Sequence, residues 1–385
     1  MTELSPEFAA GLASNIYDIK NEKTRKLFYF KYKNLLDLGD NASLSDKGLS
    51  GKTGGIVLKT SHMMGLYAEG LKDTIYQNQA IFAIKGTASL MDALTDLNAG
   101  IKASRTGGKV HQGFQDTFNT YADDIPTPSK NIHTIHCVGH SLGGALATLT
   151  ADWLKSSTGR TVKLYTFGSP RVGLEFFSNK AKTRIGDNNL YRVHHKTDPV
   201  AMVPTWPFVH VPSSGRGDFL LPSNAQLAFW QPHLMANYID SVEKRDSWDK
   251  LAGSRPQKML DASIEAWLKS DGPLSFCLNT AEVAGAALLW VVEKAINLSG
   301  IAVVLGGSTI FTILDRLAYV VHKAADLVKE ASFWVTRLII RMATILGIKI
   351  VEGVNITYSF IRSIFIRMHH AVSELVRQAG RGLES

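Results

Sequence analysis

The residues here whose types and spacing could do chemistry are a glycine-flanked serine and the acids and histidines that follow it. Gly139-His140-Ser141-Leu142-Gly143-Gly144 fits the pattern G-x-S-x-G. An apolar run ending at Val138 leads in, and Ala145, Leu146, Leu149 and Leu154 follow at helical spacing. Glycines placed this way permit a tight strand-to-helix turn that projects a hydroxyl, while the Leu142 backbone N–H points at an attacked carbonyl oxygen. A serine hydroxyl is a weak nucleophile at neutral pH. It needs an imidazole to take its proton, and the imidazole needs a carboxylate to hold its tautomer.

In hydrolases of this kind the acid and then the histidine follow the serine along the chain. Asp152 falls on the helix after the serine, Glu175 follows a loop without a strand of its own, and Asp187 precedes the apolar run Asn189 to Lys196. Asp198 comes after that run, and functional groups collect at the carboxyl ends of such strands, which selects Asp198. Of the later histidines, His322, His369 and His370 belong to the C-terminal part, leaving His210 in Phe208-Val209-His210-Val211 and His233 before the helical pattern LMANYIDSV. Both stay open on position, although a loop at a helix start is the more usual place for a base. Gly86-Thr87 closes another apolar run; Thr87 could supply a second donor beside Leu142, or simply cap a helix. The segment Leu90 to Gly100 reads equally as a short amphipathic lid or a surface helix.

These residues must be positioned by a sheet. Ala80 to Gly86, Asn131 to Gly139, Thr161 to Gly168 and Asn189 to Lys196 are apolar and rich in β-branched residues, as suits strands buried on both faces. The helix pattern between the second and third makes a strand-helix-strand unit, and the whole predicts a mainly parallel α/β sheet. Gly48 to Thr53, GLSGKT, resembles a phosphate-binding loop but has Asp46 where the first glycine belongs and no buried strand before it. There is no H-E-x-x-H and no dinucleotide-binding glycine pattern, and no metal or organic cofactor is expected.

The chain has 385 residues, 45% of them hydrophobic and 20% charged, which fits globular structure and predicts two domains. Its formal net charge of +8 is scattered rather than gathered in a basic run, so no nucleic-acid partner is expected. Two cysteines, Cys137 and Cys277, cannot build a disulfide framework. At the N-terminus a basic segment followed by an apolar one is missing, and Ser5-Pro6-Glu7 reads instead as a helix start. The expectation is a cytoplasmic chain in its producer, exported, if at all, by a route other than general secretion.

A polar stretch from Asp240 to Pro273 divides residues 1–270 from a helical, hydrophobic region over residues 271–385. Ala295 to Leu314 carries no charge and is just long enough, at about 30 Å as a helix, to cross a bilayer. Its Asn297, Ser299, Gly300, Gly306 and Gly307 could instead mark a turn between two shorter helices. Arg337, Arg341, Arg362 and Arg367 among aromatic and aliphatic residues suit helices lying on a membrane, or a soluble bundle whose stripes pack on each other. From residue 275 onward 11 Lys and Arg stand against 8 Asp and Glu, a weak attraction to anionic headgroups.

Six segments together resemble the class 3 lipases, the fungal-lipase-like branch of the α/β-hydrolases: AIKGTASLMDALTDL, VHQGF, VGHSLGGALATL, YTFGSPRVG, TDPVAMVP and PHLMANYID. The resemblance covers about Ile56 to Tyr238. It implies Ser141 as nucleophile, Asp198 as acid, His233 rather than His210 as base, and Thr87 with Leu142 as the oxyanion hole. Leu94 stands where the family usually carries an aromatic residue, and Pro232 where it often has an acidic residue or glycine. The implied activity is hydrolysis of lipid acyl esters, of phospholipid in a phospholipase A1 manner or of triacylglycerol, with a membrane surface as partner. The layout also resembles bacterial phospholipase toxins delivered by a type VI-like route, which would add secretion machinery and an immunity protein as partners. A competing expectation is a protein whose helical region permeabilises membranes by itself.

Overall fold

The computed structural model describes residues 3–39, 48–53, 60–86, 96, 100–205, 207–222, 231–254, 260–301, 309–350 and 355–381. The chain divides into two compact units. The first comprises Met1–Leu94, Lys102–Pro256 and Arg377–Ser385, and the second Thr95–Ile101 and Gln257–Val376.

The first unit opens with helix α1 (Pro6–Asn15), capped by Ser5 and started by Pro6, and α2 (Glu22–Tyr32), capped by the Asn21 side chain. Its strands are β1 (Leu36–Asp37), β2 (Gly48–Thr53), β3 (Thr60–Gly70), β4 (Gln79–Ile84), β5 (Ile101–Ala103), β6 (Lys109–His111), β7 (Thr134–His140), β8 (Thr161–Phe167), β9 (Gly173–Leu174), β10 (Leu190–His195), β11 (Phe208–Val209) and β12 (Asp218–Leu221). The helices among them are α3 (Gln112–Asn119), α4 (Leu142–Thr158), α5 (Glu175–Ile185) and α6 (Met235–Val242).

The main sheet runs β1-β3-β4-β7-β8-β10-β12, with β2 paired to β3. From β4 to β12 all neighbours are parallel, while β1, β2 and β3 pair antiparallel at one side. This is an α/β-hydrolase sheet. The four apolar runs became β4, β7, β8 and β10, every residue of β4 and β7 being buried. The long β3 and the short β12 carry little alternation in sequence; they are strands because their neighbours supply a ladder. GLSGKT is β2, a strand paired antiparallel with β3.

The second unit is helical: α7 (Asp261–Lys269), α8 (Leu278–Ser299), α9 (Ile310–Leu327), α10 (Lys329–Ile345) and most of α11 (Tyr358–Arg381). The uncharged run does not form one spanning helix, a correction to the bilayer-crossing expectation. Helix α8 ends at Ser299 because Gly300 takes the left-handed conformation, φ +66°, and its N–H closes on Ile296 O. Helix α9 begins afresh at Ile310, with the Thr309 hydroxyl accepting from the Thr312 N–H. Among the described residues no helix is long and apolar enough to cross a membrane.

The stripes of this unit pack on one another. Trp290 and Trp334 meet edge to face at 5.0 Å, and Lys294 lies over both rings. Arg341 is buried over the Trp267 ring and donates to Gly272 O, while Arg337 donates to Leu268 O and Ser270 O and pairs with Asp271. Two arginines that periodicity could have sent to a headgroup layer therefore tie down the segment after α7. Arg362 likewise pairs with Asp315 over the ring of Phe311.

Candidate active site

The turn after β7 is tight. Ser141 sits at φ 56° and ψ −132°, a strained conformation for a residue with a Cβ, and is held by its N–H to Phe167 O. Gly143 packs so closely under the end of β4 that a Cβ there would collide with the Ile84 carbonyl. Helix α4 starts at Leu142, so the Leu142 amide has no acceptor within the helix.

Ser141, Asp198 and His233 come from three separate places: the elbow, the loop after β10 and the one-turn 3₁₀ segment before α6. His233 Nε2 is 2.8 Å from Ser141 Oγ, and His233 Nδ1 is 2.9 Å from each Asp198 oxygen. An ionised carboxylate only accepts, so the Nδ1 carries the proton and the Nε2 lone pair faces the hydroxyl. All three side chains are buried. Burial alone would push the Asp198 carboxyl up; the His233 ring, the Tyr238 hydroxyl and the Val200 N–H outweigh it and hold it below the ordinary carboxylate value.

Asp152 and Asp187 lie elsewhere. Asp152 is buried on α4, pairs with Arg184 and accepts from the Thr106 hydroxyl; Asp187 pairs with Lys182 at 3.4 Å. His210 Nε2 donates to Ala201 O at 2.9 Å, a backbone contact outside the Ser-His-Asp chain. Thr87, Leu94 and nearly all of the segment Leu90 to Gly100 lie outside the described residues; the strand before them ends at Ile84, and Gly86 is the last described residue of that approach.

Three supporting residues had no signal strong enough to be chosen from sequence. Tyr238 on α6 donates to Asp198 Oδ2 at 2.7 Å and accepts from the His195 N–H at 3.0 Å. His140, the variable residue of the elbow pattern, stacks on the His233 ring at 4.7 Å and donates from Nε2 to the His233 carbonyl at 2.8 Å. Its Nδ1 accepts from the Tyr17 hydroxyl, which in turn accepts from the Gly86 N–H, both at 3.3 Å. Burial pushes His140 down to about 3 and Tyr17 up to about 12, so both are neutral hydrogen-bonding groups at physiological pH. Tyr238 could have been suspected from its place in PHLMANYID. Nothing in the sequence ties Tyr17 to a motif more than 120 residues away.

Residues 81–208 match the family model for Lipase (class 3). Over these residues the chain is similar to the class 3 lipases. The match includes Ser141 and Asp198 and stops before His233, which the three-dimensional geometry brings to the same point. The chain is 34% identical over 136 residues to the secreted mono- and diacylglycerol lipase 1 of Fusarium solani, covering 33% of this chain and 40% of that one. It is 35% identical over 118 residues to the toxin TseL of Vibrio cholerae, covering 29% of this chain and 18% of that one. The solved structure of a lipase from Rhizopus microsporus var. chinensis aligns at 22% identity and a TM-score of 0.37, over 57% of this chain and 76% of that one. The chain thus spans less than half the length of both relatives.

Proposed function

We propose that this chain is a serine esterase acting on the acyl esters of glycerolipids. The hydrogen-bonded sequence Ser141, His233, Asp198 carries this reading. His233 Nε2 takes the hydroxyl proton as Ser141 Oγ attacks the ester carbonyl, and Asp198 stabilises the resulting imidazolium. The negative oxygen forms beside the Leu142 amide, with Thr87 proposed as the second donor. Collapse expels the alcohol, which takes the proton from His233; water, deprotonated by the same ring, then releases the fatty acid and restores Ser141.

Among glycerolipids we favour phospholipid cleaved at the sn-1 ester, with use as a secreted antibacterial toxin. The net charge of +8 and the similarity to a toxin support that choice. The name of the Fusarium relative supports a second reading, a mono- or diacylglycerol substrate.

The test is fatty acid and lysophospholipid release from phosphatidylglycerol-containing liposomes, beside a diacylglycerol emulsion, by the full chain and its Ser141→Ala variant. Serine-dependent release from liposomes, with 2-acyl lysophospholipid seen by mass spectrometry, is expected, and Ser141→Ala should lower the rate by about 10⁴-fold or more. Release from the emulsion alone would move the substrate to neutral lipid. Release that survives Ser141→Ala would overturn the proposal.

A further inference from the structure

We propose that helix α2 (Glu22–Tyr32) is a docking face by which the first unit binds an anionic phospholipid surface. Positions 23, 26, 27, 30 and 31 share one side of an α-helix. On this side lie Lys23, Lys26, Leu27, Phe30 and Lys31, all exposed, with Lys33 one turn on at the helix end. The opposite side holds Phe28 and Tyr32, both buried in the core of the first unit. The helix is therefore anchored by one face and presents the other.

The outer face is unusual for a solvated helix. Leu27 is 62% and Phe30 59% exposed, and they stand side by side with lysines around them. The Lys33 ammonium lies 4.9 Å over the Phe30 ring, which joins charge and aromatic surface at one spot. Among the described residues Lys23, Lys26 and Lys33 make no ion pair. The adjoining loop, held by Leu71 N–H to Leu35 O, exposes Ile75 at 78% beside Lys72 in sequence.

Apolar side chains ringed by lysines match a lipid surface: rings and aliphatic groups enter the acyl boundary while ammonium groups meet phosphate. A purely acidic protein surface would use the lysines and leave Leu27 and Phe30 in contact with charge. The helix follows directly on the Ile16–Lys20 segment, whose Tyr17 touches Gly86 and His140 beside the Ser141 elbow. Docking through α2 therefore bears on the same unit, and through five residues of chain on the same site, that would consume the lipid. The inference extends the proposed function to its lipid surface, and it is tested by binding rather than hydrolysis, so either can fail without the other.

The experiment uses the full chain with Ser141→Ala, so that no lipid is consumed, and with Phe30→Cys in a Cys277→Ser background, labelled by a polarity-sensitive fluorophore. Cys137 is buried and out of the label's reach. Vesicles of phosphatidylglycerol and phosphatidylcholine should shift the emission to the blue, pure phosphatidylcholine much less, and high salt should reverse the shift. In the unlabelled chain, Lys23→Gln, Lys26→Gln and Lys33→Gln should weaken sedimentation with anionic vesicles roughly fivefold for each charge removed, and Phe30→Trp should preserve it. A label that remains polar while the chain sediments with vesicles overturns the proposal, since the membrane is then met elsewhere. A label that ignores vesicles but shifts when unlabelled chain is added also overturns it, and assigns the face to self-association.

Discussion

The carboxylate of Asp198 sits where an isolated charge would be costly, and four groups around it remove that cost. Two are the ring of His233 and the amide of Val200; the others are Tyr238 and, behind it, the His195 amide that donates to the Tyr238 oxygen. Gly168, at φ +53°, is part of the same arrangement, because a side chain there would run into the Asp198 carboxylate and the His233 ring. Tyr238→Phe keeps the ring and removes both bonds. It should cost roughly 1–3 kcal/mol of stability, measured by denaturant titration, because the His195 N–H is left buried without an acceptor. The kcat should fall with KM little changed. Asp198 has a folded value below its ordinary one, so its stabilising effect is full above about pH 4 and is lost as pH falls through the folded value. In Tyr238→Phe the folded value lies nearer the ordinary one, so that loss should be smaller and complete at a higher pH.

At the scale of elements, the elbow works because β4, β7 and α4 meet with no room for a side chain. Gly143→Ala would force the Ile84 carbonyl and the backbone at Gly86 to move, at a cost of roughly 1–3 kcal/mol by analogy with overpacked cores. Because Gly86 precedes the proposed second oxyanion donor, ester hydrolysis should fall further than the melting temperature alone would suggest; an Ala variant with normal kcat would show that the approach of β4 is immaterial. A helix cap decides the C-terminal unit in the same local way. Gly300→Ala should lower that unit's stability by about 1 kcal/mol, seen by thermal denaturation, since alanine resists the left-handed turn that ends α8.

Across the whole molecule, several histidines are buried as neutral rings. His136 lies between Gln79 and Tyr165 and is pushed down to about 3 by burial, as is His140; His194 beside Asp218 is pushed to about 4, burial being the larger cause. In the unfolded chain each takes a proton near pH 6.5. Below that pH the unfolded state binds more protons than the folded one, so stability drops, by up to about 1.4 kcal/mol per pH unit for each ring that stays neutral. The apparent melting temperature should therefore decline steadily from pH 7 to pH 4.5, and His136→Gln should shallow the slope. A flat profile would mean that these rings protonate in place.

The sequence alone carried the strands β4, β7, β8 and β10, the elbow pattern and the candidates Ser141 and Asp198, because each is written in a local pattern: a β-branched apolar run, glycines at fixed spacing, an acid just past a strand end. It left His210 beside His233, and a membrane interface beside a bundle for the C-terminal helices, since periodicity records which face is apolar and not what covers it. Tertiary structure supplies the contacts that local spacing leaves open. It turned His210 to the Ala201 carbonyl, broke the uncharged run at Gly300, and folded Arg337 and Arg341 onto the segment Leu268 to Gly272. It also brought Tyr17 and Tyr238 to the elbow and Asp198 and left Leu27 and Phe30 uncovered on α2. Contacts across a hundred residues, and the exposure that remains once they have formed, depend on which surfaces meet in space, and no local spacing encodes that.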